Sequence, residues 1–96
     1  MTIGKYEVSS LTNEISKVFT SLSQLQVGDK AEVIGLQKGH KGYRQRLLAI
    51  GLVPGTIFII TRLAPLGDPI QIKLSNKLSL SLRKREASIV KVIRLP

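Results

Sequence analysis

The stretch YRQRLLAIGLVPGT, residues 43–56, decides the fold because it interrupts a chain that otherwise consists of short β-rich runs. Tyr43, Leu47 and Ile50 follow an i, i+4, i+7 spacing, which predicts an amphipathic helix over about residues 42–50. Gly51 suits the left-handed conformation that ends a helix, and an apolar residue after it, here Leu52, can fold back onto the last turn. The stretch therefore predicts one short helix inserted between two strands.

A tight turn follows the predicted helix. Pro54 presets its first corner, and Gly55 can take the positive φ of a type II second corner. We predict that Leu47, Leu48 and Leu52 close one open end of a small barrel.

The rest of the chain outward from this stretch is rich in β-branched and alternating apolar residues. The runs predicted to be strands are residues 30–36, 56–63, 70–74, 78–82 and 87–93. Gly67, Asp68 and Pro69 form a turn signal between two of them, in which Asp68 can bond the backbone two residues on. The sequence predicts a mainly β fold, either a small five-stranded barrel or two orthogonally packed sheets.

Residues 1–21 differ from the rest, and residues 22–96 are expected to form a single barrel domain. Leu11, Ile15 and Phe19 recur at helical spacing within the Ser/Thr-rich extension. This spacing favours a short amphipathic helix, and a loosely packed extension fits it equally well.

The amino-acid composition limits the partners, the metal sites and the cellular location that can be expected. Fifteen Lys and Arg against six Asp and Glu give a net charge of +9, which favours nucleic acid, anionic lipid or an acidic protein as the partner. The absence of cysteine excludes disulfides, thiolate metal sites and cysteine nucleophiles. Because no apolar run approaches the roughly 18 residues that span a bilayer, we expect a cytoplasmic protein without direct membrane insertion.

The sequence contains no clear pattern of catalytic or metal-ligating residues. The single histidine, His40, lies between lysines that would repel a divalent cation, so we predict that it is not a ligand. One histidine without a supported Ser-His-Asp set argues against nucleophilic catalysis. The segment GLQKGHKG, residues 35–42, lacks the arrangement that cradles a nucleotide. We therefore predict a non-enzyme with no cofactor and no metal site.

A basic segment surrounds the start of the predicted helix. We expect a partner-binding patch there, and its members are Lys38, His40, Lys41, Arg44 and Arg46. A second charge run, Arg83-Lys84-Arg85, is most simply interpreted as a solvated face or as protection of a strand edge.

The combination of RQRLLAIGLVPGT, LAPLGDPI and LSLSLRKREASIVKV resembles the ferrous iron transport protein A family over roughly residues 22–94. The resemblance implies an SH3-like β-barrel with an inserted helix. It also implies a cytoplasmic accessory that binds and modulates ferrous iron transport protein B, a membrane transporter with a GTP-binding domain, at the inner face of the inner membrane. Two departures are the extension at residues 1–21 and Ile50, where the family commonly has methionine.

The alternative function is that of a basic SH3-like module. Such a module binds nucleic acid or serves as a regulatory domain in metal-dependent repressors. Single-strand binders stack bases on aromatic side chains, and this chain has only Tyr6, Phe19, Tyr43 and Phe58. No helix-turn-helix precedes the barrel. We therefore expect no nucleic-acid partner, while exposed barrel edges leave self-association open.

Overall fold

The computed structural model describes residues 19–38 and 41–96. The strands are β1 (Phe19–Ser21), β2 (Lys30–Leu36), β3 (Ile57–Leu63), β4 (Ile70–Leu74), β5 (Ser79–Leu82) and β6 (Val90–Leu95). The helices are α1 (Lys41–Ala49) and α2 (Lys84–Ala87), with short 3-10 helices at Leu22–Gln24 and Pro65–Gly67. The prediction of a mainly β fold with one inserted helix is confirmed.

All six strands belong to one antiparallel sheet, in the order β1-β6-β2-β3-β4-β5. Bulges shift the register in β2 between Val33 and Gly35 and in β3 between Ile60 and Arg62. Because a bulge bends its strand and increases its twist, these two irregularities help the sheet to curl around a core.

The core lies on the concave face of that curled sheet. Alternation within the strands directs one apolar set inward, as in β4, where Ile70, Ile72 and Leu74 are buried while the residues between them are exposed. Buried side chains from the other elements complete the core: Leu22, Leu25, Ala31, Val33, Leu47, Leu52, Phe58, Ile60, Leu82, Ala87, Val90 and Val92.

Two residues lie in elements other than those predicted for them. Phe19 was expected on a helical face, and instead it starts β1 and pairs with Ile93 of β6. Ala87 was expected at the start of the last strand, and instead it is the buried end of α2. A three-residue strand and a one-turn helix are both too short to show a periodicity of their own. The rest of the helix predicted within residues 1–21 lies outside the described residues.

The end of α1 has the predicted geometry. Gly51 has φ of 104°, its N–H donates to the Leu48 carbonyl at 3.1 Å, and the Leu52 N–H donates to the Leu47 carbonyl at 3.0 Å. These two bonds define a Schellman motif, in which the residue after the glycine packs on the last turn. Leu47 and Leu52 are accordingly fully buried.

The turn after α1 also forms as predicted. The Thr56 N–H donates to the Val53 carbonyl at 3.1 Å, and Gly55 at the second corner has φ of 96°. The Thr56 hydroxyl donates to the Gly51 carbonyl at 2.9 Å, which ties the turn back to the helix end.

Leu48 does not close the barrel with its neighbours. Its side chain is 40% exposed, because it follows Leu47 on the helix and so faces away from the core side. The prediction that Leu48 helps Leu47 and Leu52 to close one end of the barrel is therefore wrong. Neither helix of the described residues is long and apolar enough to cross a membrane.

Candidate functional site

An open groove of about 870 Å³ lies where α1, the start of β4, the end of β5 and α2 meet. We call it the arginine groove, and its lining residues are Tyr43, Arg46, Asp68, Pro69, Ser81, Leu82, Arg83, Arg85 and Glu86. Three arginines and two carboxylates therefore share one surface, although they come from distant parts of the sequence.

Glu86 organises this groove. Its side chain is buried, and its Oε1 accepts a hydrogen bond from the Arg83 backbone N–H at 3.0 Å. Its Oε2 lies 2.9 Å from Nε of Arg46 on α1. A glutamate at the third position of a helix commonly reaches back in this way to an N–H that the helix cannot satisfy. Glu86 thus caps the N-terminus of α2 and holds α1 against this helix.

Asp68 provides a second contact at the start of α2. Its Oδ1 accepts a hydrogen bond from the Lys84 N–H at 3.1 Å, so the carboxylate bonds the first residue of α2. The expected bond to the backbone two residues on is not the one observed. Gly67 has φ of 73°, and Pro69 follows a cis peptide bond, so these residues do form the connection between β3 and β4.

Arg83 and Arg85 supply the positive charge of the groove. The Arg85 guanidinium donates to the Tyr43 hydroxyl at 3.5 Å. This hydrogen bond is the largest of the effects that raise the pKa of Arg85 above its ordinary value, and Asp68 contributes least to the rise. Among the described residues the ion pairs within 4.0 Å are Arg46–Glu86 and Arg94–Asp29, so neither Arg83 nor Arg85 has a carboxylate partner there.

The structure separates the predicted basic patch. Of its members, Arg46 lines the groove, whereas Lys38, Lys41 and Arg44 are exposed outside the lining. Arg44 and Arg46 are two residues apart on α1 and therefore point in different directions. His40 lies outside the described residues, and its predicted lack of a ligand role stays a prediction.

Sequence reasoning missed the groove because its parts are not neighbours along the chain. Tyr43, Ser81 and Glu86 were not singled out for function, and Arg83 and Arg85 were interpreted as a solvated run. They are indeed exposed, but they also line the groove. The available signal was the glutamate three residues after Arg83, a spacing typical of a helix start.

The described residues show no cluster suited to a metal ion. Within residues 19–38 and 41–96, no three His, Cys, Asp or Glu side chains lie together. The chemistry that the groove offers is instead recognition of anions, because guanidinium groups bind carboxylates and phosphates through paired N–H donors.

The comparisons with known proteins agree on one family. The family model for the FeoA domain matches residues 20–94. A fusion protein of Porphyromonas gingivalis (strain ATCC BAA-308 / W83), comprising Fe(2+) transport protein A and the Fe(2+) transporter FeoB, is 32% identical over 71 residues. That match covers 74% of this chain and 8% of the fusion protein, so the chain corresponds to a small part of that relative.

Solved structures of similar proteins share the fold. An FeoA-like protein from Clostridium acetobutylicum is 36% identical with a TM-score of 0.73, and the match covers 81% of this chain and 88% of that one. FeoA of Stenotrophomonas maltophilia, solved with zinc and described as an SH3 domain protein, is 26% identical with a TM-score of 0.66. That match covers 76% of this chain and 88% of the other. The SH3-like prediction is confirmed.

A manganese-dependent transcriptional repressor also superimposes on the chain, with a TM-score of 0.75 over 80% of this chain and 37% of the repressor. The two are 14% identical. This likeness shows the fold alone.

Proposed function

The chain belongs to the FeoA domain family, and from that premise we propose that it is an accessory protein of ferrous iron transport that binds the membrane transporter, ferrous iron transport protein B. The observation that carries the proposal is the Porphyromonas gingivalis relative, in which the two proteins form one polypeptide. Joining two modules raises their effective concentration, which favours contact between them. We propose that this chain contacts the transporter and thereby modulates the transport or GTPase cycle.

The arginine groove supports action by binding and not by catalysis. Its positive groups are guanidinium ions, which do not exchange protons at the pH of a cell and so make poor general acids or bases. Its two carboxylates, Asp68 and Glu86, accept hydrogen bonds from the backbone at the start of α2. The guanidinium ions are well suited to hold carboxylates of another protein. We assign the chain no chemical step of its own.

The proposed place of action is the cytoplasmic face of the inner membrane. The net charge of +9 favours association with an acidic protein surface or with anionic lipid headgroups nearby. We propose that the transporter holds the chain there through protein contact, without insertion of the chain into the bilayer.

Nucleic-acid binding ranks lower, although the charge would suit it. Phe58 is buried and Tyr43 is partly buried and bonded to Arg85, which leaves Phe19 as the most exposed aromatic side chain among the described residues. A single-strand platform stacks several bases on aromatic faces, and these three side chains are spread over β1, α1 and β3. A protein partner therefore fits the surface better.

The direct test is binding of the purified full chain to the cognate transporter in lipid nanodiscs, with and without guanine nucleotide. We expect saturable binding and a changed rate of GTP hydrolysis by the transporter. Nanodiscs of the same lipid without the transporter are the control for headgroup binding. Absence of binding in every nucleotide state, together with tight and steeply salt-dependent binding of single-stranded DNA, would contradict the proposal.

A further inference from the structure

Strand β5 is an edge of the sheet that the described residues form. It pairs with β4 and with no other strand of the described residues. Its sequence, Ser79-Leu-Ser-Leu82, contains neither a charge nor a proline, the features by which an edge strand usually avoids pairing with another chain. At the opposite edge, β1 spans three described residues, Phe19–Ser21. β5 is therefore the edge at which a further strand can be added.

The hydrogen-bond alternation shows which backbone groups of β5 are available. The Leu74 N–H donates to the Leu78 carbonyl at 2.8 Å, and the register continues in steps of two at Leu80. Backbone groups of an antiparallel strand alternate between its two sides, so those of Ser79 and Ser81 point away from β4. Their side chains are exposed as well. The outer side of β5 thus offers two N–H donors and two carbonyl acceptors.

The open edge leads directly into the arginine groove. Ser81 and Leu82 line the groove, and Arg83 follows them as the first residue after β5. The two groove carboxylates are already engaged, Asp68 with the Lys84 N–H and Glu86 with Arg46 and the Arg83 N–H. Three arginines against two carboxylates leave the groove with one net positive charge at the end of the β5 edge, and Arg83 and Arg85 have no carboxylate within 4.0 Å among the described residues.

We propose that β5 and the arginine groove together form a docking site for an acidic, extended peptide segment of the partner. The segment adds a strand to the sheet by bonding the backbone of Ser79 and Ser81, and its carboxylates lie against Arg83 and Arg85. This proposal rests on the proposed function for the identity of the partner, the cognate transporter. It adds the surface and the chemistry of contact.

The strand edge and the arginines together favour an acidic, extended peptide over other ligands. Backbone bonds at a sheet edge give affinity to any extended peptide, and side-chain contacts then give direction and specificity. Lipid headgroups and inorganic phosphate can meet the arginines, but they cannot supply the alternating donors and acceptors that β5 requires. A second copy of this chain carries the same net charge of +9 and is repelled.

The first experiment locates the contact in the unmodified full chain. Synthetic peptides tiling the cytosolic segments of the transporter are added, and amide hydrogen exchange is followed by NMR. We expect the binding peptides to be acidic and to slow exchange at Ser79 and Ser81 by at least about tenfold. Protection confined to β1, or to the helix face of Arg44, would overturn the proposal.

The second experiment separates the two parts of the site. Ser81→Pro removes an outward N–H, and we expect it to weaken binding about three- to tenfold, the effect of one net hydrogen bond. Ser81→Ala keeps that N–H and is the matched reference, so the comparison that counts is Ser81→Pro against Ser81→Ala, with the proline variant about three- to tenfold weaker. The pair Arg83→Glu and Arg85→Glu should weaken binding at least about tenfold and reduce its salt dependence.

A charge control excludes a general electrostatic effect. Lys30→Glu with Lys91→Glu reverses two exposed charges on β2 and β6, away from β5, and we expect less than about a threefold loss. Equal losses from both charge pairs would overturn the proposal, as would full affinity of the groove variants. If the unmodified chain fails to bind the transporter at all, the proposed function has failed. If it binds but the groove variants bind equally well, only the docking site has failed.

Discussion

At the scale of single residues, Glu86 has the most consequential environment. It is 4% exposed, yet both carboxylate oxygens are bonded, one to the Arg83 N–H and one to the Arg46 guanidinium. A buried carboxylate is tolerated only when its charge and lone pairs are satisfied in this way. The pair links α1 to α2 over a sequence separation that no local pattern reveals.

Replacing Glu86 should therefore destabilise the fold. We expect Glu86→Ala to lower the free energy of unfolding by about 2 kcal/mol, because it removes a helix cap and a charge-assisted hydrogen bond. Glu86→Gln should cost roughly half as much, since its amide oxygen can still accept the Arg83 N–H. Urea denaturation measures both.

Glu32 on β2 provides the control for this prediction. It is partly exposed, and the structure shows it in no ion pair with another described residue. Glu32→Ala should change stability by no more than about 0.5 kcal/mol. A loss at Glu86 no larger than that at Glu32 would show that the contacts of Glu86 with Arg46 and the Arg83 N–H do not stabilise α2.

Gly51 gives a second residue-scale prediction. At φ of 104° a side chain is strained, although an added Cβ would meet only Leu74 Cδ1 at an ordinary 3.8 Å. Gly51→Ala should therefore cost about 1–2 kcal/mol of backbone strain without a steric clash. Gly35→Ala is the control, because no atom lies within 4 Å of its Cβ and its φ is not positive. Equal midpoints for both variants in thermal unfolding would contradict this account.

At the scale of elements, α1 and the turn after it were predictable from the sequence. The elements that α1 packs against were not. Gly51, Pro54 and Gly55 determine local backbone geometry, so the sequence alone located the helix end and the turn. The contact of α1 with α2 depends on which residues the sheet brings together, and that information is not local. For the same reason β1 was missed, since its three residues become a strand only by pairing with β6.

The burial of the α1 region leads to an element-scale prediction. Leu52→Ala removes a fully buried side chain beneath the helix end and should cost about 2–5 kcal/mol. Leu48→Ala changes a side chain that is 40% exposed and should cost less than about 1 kcal/mol. Chemical denaturation of the two variants distinguishes them. Similar losses would mean that Leu48 helps to close the barrel after all.

At the scale of the whole molecule, the fold brings together charges that the sequence keeps apart. Arg46, Arg83 and Arg85 come from α1 and from the segment around α2, and the curled sheet assembles them beside the open edge of β5. The predicted basic patch supplied only Arg46 to this groove. Net charge favours nucleic acid, anionic lipid or an acidic protein as the partner, but composition carries no information about which surface of the chain is involved.

The fold and the family could be predicted from the sequence, whereas the arginine groove could not. Strand alternation, the glycine-ended helix and the turn residues are each local, and together they predict a small mainly β fold. The SH3-like architecture was implied by the resemblance of these motifs to the family. The groove depends on long-range register, such as Ile70 of β4 opposite Leu82 of β5, which places Asp68 beside the start of α2. A single sequence does not reveal that register.

The central claim, that this chain works by binding the ferrous iron transporter, is tested most directly by titrating the unmodified full chain against the cognate transporter in nanodiscs. Saturable binding that empty nanodiscs do not reproduce, and that Arg83→Glu with Arg85→Glu weakens at least about tenfold, is the predicted result. No binding to the transporter in any nucleotide state would contradict the account.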